Sequence, residues 1–257
     1  MIIYKFGGTS VGNAGRMKQV ANIIGDEKQK IIVLSAVGGT TNKLVRLTGF
    51  FYTHKHNEAV EIINLLRDEY TGIINDLFST DDYKSKAVDF IEGVLDLLLA
   101  QEGEQFNEQN EKLILAQGEI MSTNLFHFYL LETGARTSLI PALDYMRIDA
   151  DGEPDIAAIR RLIKPLLDKV SDSRLIVTQG FICRNMEGQI DNLKRGGSDY
   201  SATLLGQAIN AKEVQIWTDI DGMHNNDPRV VENTYPIDYL SFDEAAELAY
   251  FGAKILH

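Results

Sequence analysis

Apolar positions along this chain fall into two kinds of run: short unbroken ones, and longer ones that recur at steps of three and four. The short runs at residues 2–6, 31–36, 137–141, 174–183 and 213–218 are rich in β-branched and aromatic residues and predict strands. The spaced runs predict helices. Met17, Val20, Ala21 and Ile24 give the first. Residues 57–103 carry two stripes, Ile62, Leu65 and Leu66, then Val88, Ile91, Val94, Leu95 and Leu98, with turn signals only at 79–82. Further helices are predicted at 120–131, at 156–170 with a kink or restart at Pro165, and around Ala202, Leu205, Gly206 and Ile209. Ser241 with Glu244 forms a capping box for a last helix over 242–251. A polar turn is predicted at 184–189 and a long polar loop at 219–236.

Strand, helix and strand in the first 36 residues make a βαβ unit, which implies parallel pairing. The alternation continues with no repeat of 20–50 residues and no Pro- or Ser-rich linker. The predicted class is α/β: a three-layer α/β/α sandwich with a mainly parallel central sheet.

Composition narrows the function. The chain has 257 residues, room for one large or two small domains. Its net charge is −12 with no block of Lys or Arg, which argues against a nucleic-acid or membrane-surface partner. Any phosphate site must therefore gather its positive charge locally. Cys183 is the sole cysteine, so there is no internal disulfide and a reducing cytoplasm fits. The sequence shows no signal peptide and no transmembrane run. Residues 251–257 read as the end of a helix rather than a natural tail.

The strands end in similar punctuation. Residues 2–6 run into Gly7-Gly8-Thr9-Ser10, and 31–36 into Gly38-Gly39-Thr40-Thr41. Gly196-Gly197-Ser198-Asp199 follows the fourth strand through a connection, and Thr218-Asp219 ends the fifth. Paired glycines let backbone N–H groups turn toward an anion, and Thr9 or Ser10 is placed to cap a following helix. In an open parallel sheet, ligands bind at the carboxyl ends of the strands. These loops are therefore expected to gather at one edge, with Lys5, Lys194 or Arg195, Arg229 and Lys254 as cations and Asp199 and Asp219 as carboxylates. That set suits a nucleoside triphosphate. The P-loop pattern, the G-x-G-x-x-G pattern and any zinc-ligand cluster are absent from the sequence. Taken singly, each residue has a plainer reading: Glu119 as a helix-start carboxylate, Asp199 as an N-cap, Lys254 as a last-turn cation, Arg229 as a solvated loop charge.

Taken together, six segments resemble the aspartokinases. They are Lys5-Phe6-Gly7-Gly8-Thr9-Ser10, the 35–42 loop, Gly118-Glu119, Arg195-Gly196-Gly197-Ser198-Asp199-Tyr200-Ser201-Ala202, Trp217-Thr218-Asp219 through Asp227-Pro228-Arg229, and Phe251-Gly252-Ala253-Lys254. The resemblance spans the chain. It implies the amino-acid-kinase fold, with an amino-acid-binding lobe over about 1–190 and a nucleotide-binding lobe over 191–257. It implies ATP-dependent phosphorylation of the L-aspartate side-chain carboxylate, with Mg²⁺, in the path to lysine, threonine and methionine. Lys5, beside Gly7, Gly8 and Ser10, would contact the transferring phosphate, and Asp199 would orient the lysines. Arg195 would pair with the α-carboxylate, Glu119 would receive the α-ammonium, and Thr41 and Ser198 would supply hydroxyls. Thr218, Asp219, His224, Arg229 and Lys254 would hold the nucleotide. The resemblance also implies a homo-oligomer in the full-length protein, and paired regulatory domains lying beyond these 257 residues.

The chain departs from the family pattern at three places. Lys194 stands where glycine is usual, Asp191-Asn192 where two threonines are usual, and His224 where a tyrosine is expected. Two other readings stay open at this point: a related kinase with another carboxylate acceptor, and a non-catalytic module that binds nucleotide or aspartate.

Overall fold

The computed structural model of the chain describes residues 1–193, 197–219, 221–227 and 230–250. Its elements are β1 (Ile2–Phe6), α1 (Ala14–Ile23), β2 (Lys30–Leu34), α2 (Thr40–Tyr52), α3 (His56–Leu77), α4 (Asp81–Leu99), α5 (Glu108–Glu132) and β3 (Thr137–Leu139). There follow α6 (Ala142–Tyr145), α7 (Ile156–Lys169), β4 (Leu175–Gln179), β5 (Ile182–Arg184), β6 (Ile190–Asn192), α8 (Gly197–Ile209), β7 (Glu213–Trp217) and α9 (Phe242–Tyr250).

Five strands form one sheet in the order β3-β4-β2-β1-β7, parallel throughout. Helices cover both faces, as expected for strands that are apolar on both sides. The two-residue side-chain period of β1 decides which residue meets which layer. Tyr4 and Phe6 point into the core shared with α1 to α4, together with Ile32, Leu34 and Val177. Ile3 points the other way, with Val33 and Ile176, into the core shared with α7 and α8. Lys5 follows Ile3 by two positions and so emerges on the α8 side, at the carboxyl end of the strand.

Several boundaries differ from the sequence reading. Thr9 and Ser10 do not cap α1: the cap is Asn13, whose Oδ1 accepts the Arg16 N–H at 2.9 Å. The Ser10 N–H instead donates to Gly7 O at 2.9 Å, closing a turn. The run at 174–183 is not one strand. It breaks after β4, where Phe181 holds φ of 65°, and resumes as β5, which pairs antiparallel with β6. The polar turn at 184–189 joins those two. The helical run expected from 120 begins at Glu108, so Glu119 lies mid-helix rather than at a helix start. Helix α7 runs through Pro165 without restarting. The capping box holds: the Glu244 N–H donates to Ser241 Oγ at 3.2 Å, and the Ser241 N–H to Glu244 Oε2 at 2.8 Å. The expected end of the last helix, at 251, lies outside the described residues.

Candidate active site

The carboxyl ends of β1 and β2 are laced together. The Ser35 N–H donates to Phe6 O at 3.2 Å, and the Gly38 N–H to Gly8 O at 3.1 Å. A Cβ on Gly8 would lie 2.8 Å from Ala36 O, so only glycine permits this approach. Beside the laced loops lies a cleft of about 610 Å³, lined by Lys5, Gly8, Thr41, Glu119, Ser198 and Asp199 among others. These six residues come from β1, the loop after it, α2, α5 and α8. The fold thus brings together six of the residues singled out in the sequence.

Lys5 is 9% exposed, and its Nζ lies 2.5 Å from Asp199 Oδ1 in the first turn of α8. Asp199 is therefore not the N-cap of that helix but an ion-pair partner across the cleft floor. Ser198, one residue earlier, has its Oγ 2.9 Å from Ser35 Oγ. Helix α8 is set close against the sheet at both ends. A Cβ on Gly180 would overlap Ser198, and one on Gly206 would lie 2.6 Å from Val214 Cγ2.

Glu119 projects from the middle of α5 and is 5% exposed. Its Oε1 accepts the Ala36 N–H at 3.3 Å; its Oε2 is buried and has no hydrogen-bond partner among the described residues. Burial pushes its pKa up to about 7, while the Ala36 N–H and the charge on Lys5 work in the opposite direction. A buried acceptor without a donor is costly, and a cationic ligand would satisfy it. Below it, Thr123 Oγ1 donates to Glu119 O at 2.7 Å and accepts from Gln179 Nε2 at 2.7 Å, fixing α5 to β4.

The remaining predicted residues divide. Gly7 is beside the site, its Cβ position 3.5 Å from Lys5 Nζ. Ser10 is half-buried in the turn after β1. Thr218 and Asp219 are exposed and follow β7, whose Trp217 pairs with Phe6, so they share the carboxyl edge but do not line the cleft. His224 is 9% exposed and both ring nitrogens are engaged: Nε2 lies 2.6 Å from Asp221 Oδ1 and Nδ1 2.9 Å from Thr234 Oγ1. It ties Asp221 to Thr234 rather than presenting a free ring edge. Lys194, Arg195, Arg229 and Lys254 lie outside the described residues.

Sequence reasoning passed over Phe181 and Leu193, both of which line the cleft. The Phe181 N–H donates to Ser201 Oγ at 2.7 Å, and its carbonyl accepts the Leu193 N–H at 2.8 Å. A bulky residue in the left-handed region is strained, and such strain tends to gather at functional sites. The glycine before Phe181 was the available signal.

The model of the amino acid kinase family matches residues 1–257. The chain is 36% identical to the lysine-sensitive aspartokinase 3 of Escherichia coli, over 100% of this chain and 57% of that protein. It is 32% identical to an aspartokinase of Chlamydia muridarum, over 100% and 56%. Among solved structures it resembles Escherichia coli aspartokinase III in complex with aspartate and ADP (R-state), with a TM-score of 0.86 at 35% identity, over 100% of this chain and 57% of that one. The chain spans about half the length of the curated relatives it matches. With a matching family model over its whole length and a parallel sheet that carries the expected cleft, the chain belongs to the amino acid kinase family.

Proposed function

We propose that this chain phosphorylates the side-chain carboxylate of L-aspartate with ATP, giving 4-phospho-L-aspartate, the first step toward lysine, threonine and methionine. The observation that carries the reading is the pairing of charges in one cleft: the Lys5 ammonium held by Asp199, and the buried, unpartnered Glu119 Oε2. One end suits a phosphoryl group and the other an α-ammonium. The crystal structure with aspartate and ADP belongs to a relative 35% identical to this chain, which supports both ligands here.

The chemistry asks little of the protein. The attacking carboxylate is already ionised at neutral pH, so no base is needed. Catalysis reduces to in-line placement and to neutralising charge on the moving phosphoryl group. Lys5 supplies that charge, and Asp199 holds its amine in place. Glu119 receives the α-ammonium, Arg195 pairs with the α-carboxylate, and Thr41 and Ser198 offer hydroxyls to the amino acid. Gly7, Gly8 and Ser10 border the phosphates. Thr218, Asp219, His224, Arg229 and Lys254 belong to the nucleotide side; in this proposal 1–190 holds the amino acid together with Arg195 and Ser198, and the rest of 191–257 holds the nucleotide.

Mg²⁺ is part of this reading. Among the described residues no group of three His, Cys, Asp or Glu side chains could hold a metal. In this reading Mg²⁺ would enter with the nucleotide phosphates beside Lys5 and Asp199, which line the cleft, and would add charge neutralisation when bound. No helix among the described residues is long and apolar enough to cross a membrane.

Hydroxylamine trapping of the acyl phosphate tests the proposal. Hydroxamate that depends on both ATP and L-aspartate is expected. Product with glutamate or an N-acylated amino acid instead would move the chain to another acceptor. Calorimetric binding of aspartate with no product would make it a binding module.

A further inference from the structure

Asp191, one of the departures from the family pattern, lies in β6 with its side chain 9% exposed. Its Oδ2 is 2.9 Å from Lys112 Nζ on α5, and its Oδ1 accepts the Asn192 N–H at 2.8 Å. Lys112 also lies 2.9 Å from Glu108 Oε1, one turn earlier on the same helix. Across the hairpin Asp191 is paired with Cys183, which is fully buried. A carboxylate in such surroundings needs its cation, because a buried charge without a partner is strongly destabilising. A second bond runs beside the pair, from Gln109 Nε2 to Ile190 O at 3.0 Å.

Both ends of the ion pair lead into the cleft. Lys112 and Glu119 stand at i and i+7 on α5, on one face two turns apart. Asp191 stands two positions before Leu193, whose N–H bonds to Phe181 O and which lines the cleft. The Phe181 N–H in turn bonds to Ser201 in the first turns of α8, the helix carrying Ser198 and Asp199. The route from one cleft wall to the other is therefore short and made of named bonds.

We infer that the Lys112–Asp191 ion pair is a positioning device that sets the spacing between the Glu119 wall and the Leu193–Ser198–Asp199 wall of the acceptor cleft. The inference rests on the aspartate-kinase reading for its substrate. It assigns neither residue a contact with that substrate. Glu108 is 77% exposed at its side chain and is the lesser partner.

The test removes both charges at once. Lys112→Met with Asp191→Asn leaves no uncompensated buried charge, so it folds where Lys112→Met alone fails. The aspartate KM of the double variant is expected to rise by about tenfold, with the ATP KM and kcat within about threefold of the parent. Hydrogen exchange at the Leu193 amide is expected to quicken. Lys112→Arg, which keeps the pair, should behave as the parent. A folded double variant with parental aspartate KM overturns the inference, and so does faster exchange with no change in that KM. A parent chain without aspartate-dependent turnover would overturn the kinase reading instead. Leu193 exchange would still decide the device: parental exchange in the double variant overturns it, and faster exchange upholds it.

Discussion

Lys5 Nζ and Asp199 Oδ1 lie 2.5 Å apart, joining the second-to-last residue of β1 to the first turn of α8. The strand supplies the cation on the α8 face because of its two-residue period, and the helix supplies the anion at the end where backbone N–H groups favour negative charge. The pair holds the ammonium at the carboxyl edge of the sheet, where the glycine loops open.

Lys5→Met is expected to lower kcat by about 10³-fold while the chain stays folded with a lowered thermal midpoint, since methionine fills similar volume but leaves Asp199 without its cation. Asp199→Asn should lower kcat by about 10²-fold, because the amine remains but is no longer held. Steady-state hydroxamate assays with circular-dichroism melts check both. Undiminished turnover in Lys5→Met would remove that residue from the mechanism.

Glu119 gives the site a pH dependence. With a pKa of about 7, its ionised fraction falls from about nine-tenths at pH 8 to about one-tenth at pH 6. The aspartate KM should therefore rise as pH falls through 7, with the ATP KM unaffected. Glu119→Gln should raise the aspartate KM about 100-fold and flatten that profile. A parallel profile in the variant would assign the titration elsewhere.

The same group bears on stability without ligand. Its pKa is raised above the ordinary 4.5, so its contribution favours the fold below about pH 4.5 and is lost as pH rises through about 7. Glu119→Gln should remove that loss. Urea melts at pH 5 and pH 8 are expected to differ less for the variant than for the parent; an equal difference would contradict the assignment.

Gly180→Ala would drive a methyl group into Ser198 and push the start of α8 outward. The expected cost is about 1–3 kcal/mol of stability together with a fall in kcat/KM, since Ser198 and Asp199 move with the helix. Gly93→Ala, where a Cβ meets nothing within 4 Å, is the control and should leave kinetics unchanged. Denaturant melts and kinetics on the pair check this.

His224→Phe keeps the buried ring but cannot bond Asp221 or Thr234. If the histidine serves to hold the loop, the ATP KM should rise by about tenfold with the aspartate KM unchanged. An unchanged ATP KM would separate this loop from the nucleotide.

The sequence alone determined the class, the parallel pairing and most of the cleft. Unbroken β-branched runs are strands buried on both faces, and Gly-Gly after two of them marks where backbone must approach backbone; both signals are local. What it left undetermined depends on contacts between distant residues. The cap of α1 moved to Asn13 because Gly7 O took the Ser10 N–H. The strand at 174–183 broke at Phe181 because Ser201 and Leu193, neither its sequence neighbour, hold that residue in the left-handed region. Asp191 reads as a plain departure until the fold sets Lys112 beside it. Glu119 reads as a helix-start acid until α5 buries it mid-helix with one oxygen unpaired. Propensity and spacing fix elements because they act within a few residues, whereas the charge state and aim of a side chain are set by whichever groups folding brings within a few ångströms of it.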